Sequence, residues 1–149
     1  MDTIDAVIVI AEYGHGKRAG VLSDYTFAVK DYDNNNNNSV SKLRTIGKAY
    51  SGLTDDEIFE MTKRLRSIMI NDEGIRIIVK PEIVLEVAFD SIQKSNRHDS
   101  GFALRFPRIK NIREDKNVSD IDSLQKVKQI YEKQNYNINK ITKQAPSQL

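Results

Sequence analysis

The 149-residue sequence contains no cysteine and only two histidines, His15 and His98. The first absence excludes a disulfide framework, a thiolate zinc site and a cysteine nucleophile. The second leaves no imidazole cluster for a transition metal, since zinc sites draw on about four ligands. Long hydrophobic runs are missing too. Apolar residues make up 39% of the chain and charged residues 30%, and nothing approaches the roughly 18 to 20 consecutive apolar residues that span a bilayer. No membrane partner is expected. Met1-Asp2-Thr3-Ile4-Asp5 lacks the basic, apolar, small-residue order of a secretory signal, so the default location is the cytoplasm. Excess charge is scarce as well: 23 basic and 21 acidic side chains leave a net +2. The length suffices for one domain with a real core.

Against so balanced a total, Leu104 to Lys116 stands out. Arg105, Arg108, Lys110, Arg113 and Lys116 face only Glu114 and Asp115. Arginine presents a planar fork that matches phosphate oxygens in pairs, and lysine adds a mobile point charge, so phosphate is the natural partner class. A solvated basic face is the plain alternative. Phe102, Leu104 and Phe106 alternate with Ala103 and Arg105, which predicts a strand burying Leu104 and Phe106 with Arg105 on the other face. Pro107 has no N–H to donate and ends the ladder there. Arg108 and its successors are then expected where the chain leaves the sheet.

Ala6 to Ala11 is short, apolar and rich in β-branched residues, a first buried strand. Glu12 to Gly20 holds Gly14, Gly16 and Gly20 with Lys17 and Arg18. It reads either as a loop that brings backbone close to an anion or as an ordinary hairpin connection. It is not a P-loop, because Arg18 follows Lys17 and a strand-like segment follows Gly20. In Val21 to Lys30, the shared parity of Val21, Tyr25, Phe27 and Val29 predicts a half-buried strand. Asn34 to Asn38 is a low-complexity tract, expected at a mobile hairpin tip. A third strand covers Lys42 to Ala49, without clear parity.

Thr54-Asp55-Asp56-Glu57 is a capping box, and Ile58, Met61, Leu65, Ile68 and Met69 recur at helical spacing as a core face. Asn71 to Gly74 reads as a turn between this helix and strands at Ile75–Lys80 and Ile83–Phe89. In the latter, Ile83, Leu85, Val87 and Phe89 face the core, and Val84, Glu86, Ala88 and Asp90 point away. Glu86 and Asp90 could pass for an acid–base pair or a magnesium site, but two outward carboxylates on a strand are commonplace. Ser91 to Ser100 is a polar loop whose Gln93, Lys94, Ser95, Asn96 and Arg97 can hydrogen-bond a sugar-phosphate backbone or water. Ser119-Asp120-Ile121-Asp122 opens a second helix running to about Gln134. Residues 135–149 are polar and expected to form a flexible tail, which leaves 1–134 as the domain. The element order is that of a mainly β OB-fold, a five-stranded Greek-key barrel with a helix between strands 3 and 4 and a C-terminal helix, a fold that binds nucleic acid.

Arg105-Phe106-Pro107-Arg108, Arg113 and Asp115-Lys116 together resemble RFPRxxxxRxDK, the C-terminal signature of archaeal and bacterial type ATP-dependent DNA ligases. Asp5 to Val9, the glycine-rich GKRAG segment, Gly52-Leu53-Thr54, Lys80-Pro81, Leu85-Glu86-Val87 and Gln93-Lys94-Ser95 follow the same family in order, over roughly residues 4 to 134. The resemblance implies an OB domain that closes over ATP while a lysine in an upstream KxDG motif takes up AMP. The domain then clamps nicked duplex DNA for phosphodiester formation in replication, repair and recombination. Arg105, Arg108, Lys110, Arg113, Asp115 and Lys116 are the implied ATP phosphate site, with Asp115 orienting a cation. Gly16, Lys17, Arg18, Gln93, Lys94, Ser95 and Arg97 are the implied DNA contacts. ATP and Mg2+ are implied as cofactors, held mainly by an adenylation domain that partners this one in cis or in trans, in the nucleoid-associated cytoplasm. No KxDG occurs in the sequence, so the chain is not expected to form the lysine-adenylate or to be active alone. Asn111 stands where many relatives carry arginine, and Ser91 where an acidic residue is common. A non-catalytic nucleic-acid-binding OB module is the alternative, and an RNA-capping guanylyltransferase domain a third possibility.

Overall fold

The computed structural model describes residues 2–32 and 41–144. The Asn34–Asn38 tract and residues 145–149 lie outside the described residues. Strand β1 (Asp2–Tyr13) is longer than the apolar run that announces it, and the sheet is arranged on it. It pairs antiparallel with β2 (Leu22–Tyr32) along one edge. The other edge is divided: β6 (Val84–Phe89) takes Asp2 to Val7, and β5 (Arg76–Val79) takes Ile10 to Glu12. A strand shared in this way has to curl. β3 (Ser41–Ala49) and β4 (Met69–Asp72) complete the path β3-β2-β1-β5-β4, and β9 (Arg108–Ile112) pairs with β6. Two further strands, β7 (Ser91–Lys94) and β8 (Phe102–Arg105), form a separate hairpin. With α1 (Asp55–Ser67) between the third and fourth strands and α2 (Leu124–Gln144) at the end, this is an OB-fold whose strands are broken into nine segments among the described residues.

Alternation on β1, β2 and β6 fills the concave side. Ile4, Ala6 and Ile8 meet Tyr25, Phe27 and Val29, and Leu85, Val87 and Phe89 close over them. Each large side chain so buried contributes about 1.5–3 kcal/mol. The convex side is not simply wet. Val7, Ala28, Val84 and Ile121 form a second, smaller cluster, because the chain ahead of α2 lies across it, fixed by Asp122 N–H to the Asp5 carbonyl at 2.9 Å and Lys30 N–H to the Asp122 carbonyl at 3.1 Å. Val84 and Ala88, expected to point away from the core, are therefore buried.

In β3, Phe27 opposes Gly47 but Ala28 opposes Thr45. Ile46 is the extra residue of a bulge, which is why the strand shows no parity. The capping box at α1 is formed in both directions, Thr54 with Glu57. Its buried face is Ile58, Met61, Thr62 and Leu65; Thr62 donates to the Ile58 carbonyl at 2.7 Å and accepts the Leu22 N–H at 3.0 Å. Met69 does not belong to that face. It starts β4 and is 42% exposed, so the expected turn at Asn71–Gly74 moves to the tip of a β4–β5 hairpin. The polar loop expected at Ser91–Ser100 likewise begins as strand β7. Helix α2 continues past Gln134 to Gln144. The Gln134 amide completes the open edge of β7, accepting from Ile92 N–H at 2.9 Å and donating to its carbonyl at 2.8 Å. None of the helices is long and apolar enough to cross a membrane among the described residues.

Candidate phosphate and nucleic-acid interface

The basic segment is split between two sheets. Arg105 ends β8, and the chain then turns through Phe106, whose φ is 53°, and Pro107 to enter β9. A non-glycine residue in the left-handed region is uncommon, and here it switches the chain from the β7 ladder to the β6 ladder. Two expectations change. Phe106 is 65% exposed, with the Arg105 guanidinium 5.3 Å from its ring centre. Arg108 does not leave the sheet, because it opens β9, and the chain leaves the sheet only from Arg113 onward.

Within β9, Val87 opposes Ile109 and Glu86 opposes Asn111, which leaves Lys110 as an extra residue. Arg108 and Arg113 are five positions apart and would point to opposite sides of a regular strand. The bulge at Lys110 reverses the parity and puts both on the convex side. Their partners are specific. Arg108 donates to Asp90 at 3.0 Å and to the Phe106 carbonyl at 2.9 Å. Arg113 grips Asp115 with two hydrogen bonds, at 3.2 and 3.1 Å, and reaches Asp5 on β1 at 3.4 Å. Lys116 donates to the other Asp5 oxygen at 2.5 Å. The hydrogen bond from Arg113 holds the Asp115 carboxyl below the ordinary range, and the one to Asp5 holds the Lys116 ammonium above it. Asn111, in the position where arginine was the family expectation, donates to Glu86 at 2.7 Å. Arg105 and Lys110 carry no ion pair within 4.0 Å among the described residues.

The expected DNA contacts fall elsewhere. Gln93, Lys94, Ser95 and Arg97 line a groove of about 910 Å³, together with Lys48 and His98. The loop after β7 is tied to β3 by Asp99, whose Oδ1 accepts Thr45 N–H at 2.6 Å and the Thr45 hydroxyl at 3.0 Å. Burial pushes the His98 imidazole below its ordinary value, which favours its neutral form. Lys48 is held by Glu12 and, at 3.4 Å, by Asp24. It also lines a second cleft with Gly14 and His15, and so joins the groove to the glycine-rich connection. There Gly16, Lys17 and Arg18 form a single 3-10 turn. Arg18 pairs with Asp55 at the start of α1 at 3.2 Å. Arg105 faces a third hollow beside α2, with Tyr131 and Gln134, apart from Arg113 and Lys116. Sequence reasoning gave no role to Asp5, Lys48 or Asp99, since their partners lie far away along the chain.

Fold and charge distribution define the class: an OB-fold domain with one cation-bearing convex strand and a separate basic groove, both suited to polyanions. Comparison with known proteins makes the family plain. The chain belongs to the ATP dependent DNA ligase C terminal region family, whose model matches residues 18–116. A probable DNA ligase of Koribacter versatilis is 52% identical over 131 residues, covering 88% of this chain and 21% of that protein. A probable DNA ligase of Opitutus terrae is 54% identical over 122 residues, 82% of this chain and 12% of that protein. The DNA ligase of Nanoarchaeum equitans is 45% identical over 141 residues, 94% of this chain and 25% of that protein. The chain thus spans a quarter or less of the length of these relatives. In fold it is similar to the ligase domain of M. tuberculosis LigD, with a TM-score of 0.62 at 18% identity, over 80% of this chain and 38% of that one.

Proposed function

We propose that this chain is the part of an ATP-dependent DNA ligase that closes on ATP during enzyme adenylation and afterwards clamps nicked duplex DNA. In this scheme an adenylation domain, in cis or in trans, supplies the KxDG lysine that attacks the α-phosphate, with release of pyrophosphate. AMP then passes to the 5′-phosphate at the nick, and the adjacent 3′-hydroxyl displaces it. Phosphoryl and nucleotidyl transfer depend mainly on positioning and charge stabilisation. Arg108, Arg113 and Lys116 are chemically fit to take the β- and γ-phosphates, with Arg105 and Lys110 adding charge nearby and Asp115 orienting Arg113 until the phosphates arrive. The observation that carries the proposal is the bulge at Lys110, which turns Arg108 and Arg113 to one face. Among the described residues no three histidine or acidic side chains converge as metal ligands. The residues present therefore fit a polyphosphate and do not by themselves fit Mg2+, which the ATP phosphates and the partner domain would hold. Lys17, Arg18 and the groove from Gln93 to Arg97 are the proposed DNA contacts.

The test mixes the chain with a KxDG-bearing adenylation domain, labelled ATP and magnesium, and follows label becoming protein-bound. Stimulation is expected, reduced about 10- to 100-fold by Arg108→Ala, from roughly 1.5–3 kcal/mol for a charge-assisted hydrogen bond. No stimulation with nucleic-acid binding retained would make the chain a non-catalytic binding module.

A further inference from the structure

Among the described residues Asp5 is the one charged side chain in the buried class, at 9% exposure. A carboxylate in that position is unfavourable unless it is paired and hydrogen-bonded. It is paired twice, and both partners belong to the basic segment: Oδ1 with Arg113 at 3.4 Å and Oδ2 with Lys116 at 2.5 Å. Its backbone is fixed on both sides of the strand. Asp5 N–H donates to the Asp122 carboxylate at 2.7 Å, Asp122 N–H donates to the Asp5 carbonyl at 2.9 Å, and β6 pairs Glu86 opposite. The backbone of Arg113 is tied to β6 through its N–H to the Val84 carbonyl at 2.8 Å, and Lys116 lies three residues further on. The two sit on the turn after β9, joined by Lys116 N–H to the Arg113 carbonyl at 3.2 Å.

The two carboxylates on these cations differ in one respect. The Asp115 side chain is 67% exposed, whereas that of Asp5 is 12% exposed. Two carboxylates neutralise two cations, so an arriving polyphosphate must displace one of them, and the exposed one can swing into water. We infer that Asp5 is a positioning residue: it holds the Lys116 ammonium and one edge of the Arg113 guanidinium at fixed places while Asp115 yields to phosphate. The inference rests on the proposed role of this segment in adenylation.

Asp5→Asn keeps the volume and leaves both backbone bonds to Asp122 in place. In the complex with an adenylation domain, it is expected to slow adenylation about tenfold. Sealing of a nick that already carries AMP on its 5′-phosphate uses no triphosphate and should be unchanged. Lys116→Ala added to Asp5→Asn should cost less than Lys116→Ala alone, because the two act as one unit. Equal losses in both reactions would make Asp5 merely structural, and unchanged or faster adenylation would also overturn the inference. If Lys116→Ala leaves adenylation untouched, the proposed role of the segment fails and Asp5 falls with it. If Lys116→Ala slows adenylation and Asp5→Asn does not, Asp5 alone falls. Should Asp5→Asn not fold, Asp5→Glu keeps the charge and displaces both cations by one methylene; it should slow adenylation while sealing persists, and normal adenylation would overturn the inference.

Discussion

Gly52 shows how tightly single residues hold the convex strand. Its φ is +111°, and a Cβ added there would lie 2.0 Å from the Ile109 carbonyl oxygen, next to the bond from Ile109 N–H to the Ser51 carbonyl at 2.9 Å. Gly52→Ala should therefore destabilise the domain by about 3 kcal/mol, part from left-handed strain and part from pushing β9 aside. Urea denaturation measures it. Phe106 is the opposite case, a left-handed residue that no packing demands. Its exposure fits a group held out for a partner rather than for the core. At the middle of the same face, the Asn111 hydrogen bond holds the Glu86 carboxyl below its ordinary value of 4.5, with help from a Thr3 hydrogen bond and from Lys110 and Arg113. A carboxyl lowered in the folded state adds stability above that ordinary value, and the contribution is lost as pH falls through the lower, folded one. In Asn111→Ala, the Glu86 titration followed by NMR should move up, and the acid limb of the stability profile should flatten. An unmoved titration would show that Thr3, Lys110 and Arg113 suffice to hold Glu86 without Asn111.

At the scale of elements, the tip of the hairpin β7–β8 is tied to β3 through Asp99. Besides its Thr45 bonds, Asp99 lies 3.9 Å from Arg44, also on β3, and the tip closes on itself through Ser95 N–H to the Gly101 carbonyl at 2.9 Å. Asp99→Ala should speed hydrogen exchange at the Ser95 and Gly101 amides, leave the β1 and β2 amides protected, and weaken DNA binding several-fold as Gln93, Lys94 and Arg97 lose that tie to β3. Equal acceleration in β1 would mean that the hairpin is not a separate unit. These elements also mark where the sequence was readable. β1, β2, β6 and α1 announce themselves because one face is apolar at a fixed period and the helix carries its own cap. β4 and β7 are four residues each, too short to show a period, and β9 pairs with β6 rather than with its neighbour β8 and carries a bulge. Bulges at Ile46 and Lys110 each shift parity by one, which flips every later side chain to the other face. The basic motif was legible as residues but not as geometry: what places Arg113 is Asp5, 108 positions earlier.

On the scale of the whole molecule, a net +2 provides little long-range pull on a polyanion, so the proposed DNA affinity rests on local contacts and the counterions they release. Each phosphate neutralised on duplex DNA contributes about 0.9 to the slope of log affinity against log salt. Lys17 has no carboxylate within 4.0 Å among the described residues, and Lys17→Ala should reduce that slope by about 0.9. Arg18 is already paired with Asp55, whose side chain is 90% exposed. Swapping a carboxylate for a phosphate returns less than a free cation does, so Arg18→Ala should cost less affinity than Lys17→Ala. Removing the competitor with Asp55→Asn should then tighten binding, and only when Arg18 is present. Titrating labelled nicked duplex at several salt concentrations separates these terms. A slope unchanged in the Lys17→Ala, Arg18→Ala double variant would take the glycine-rich turn off the DNA surface and leave the groove at Gln93–Arg97 to carry the binding. A slope that falls while adenylation of the partner domain stays intact would support separate roles for the turn and the convex strand, each serving a different anion.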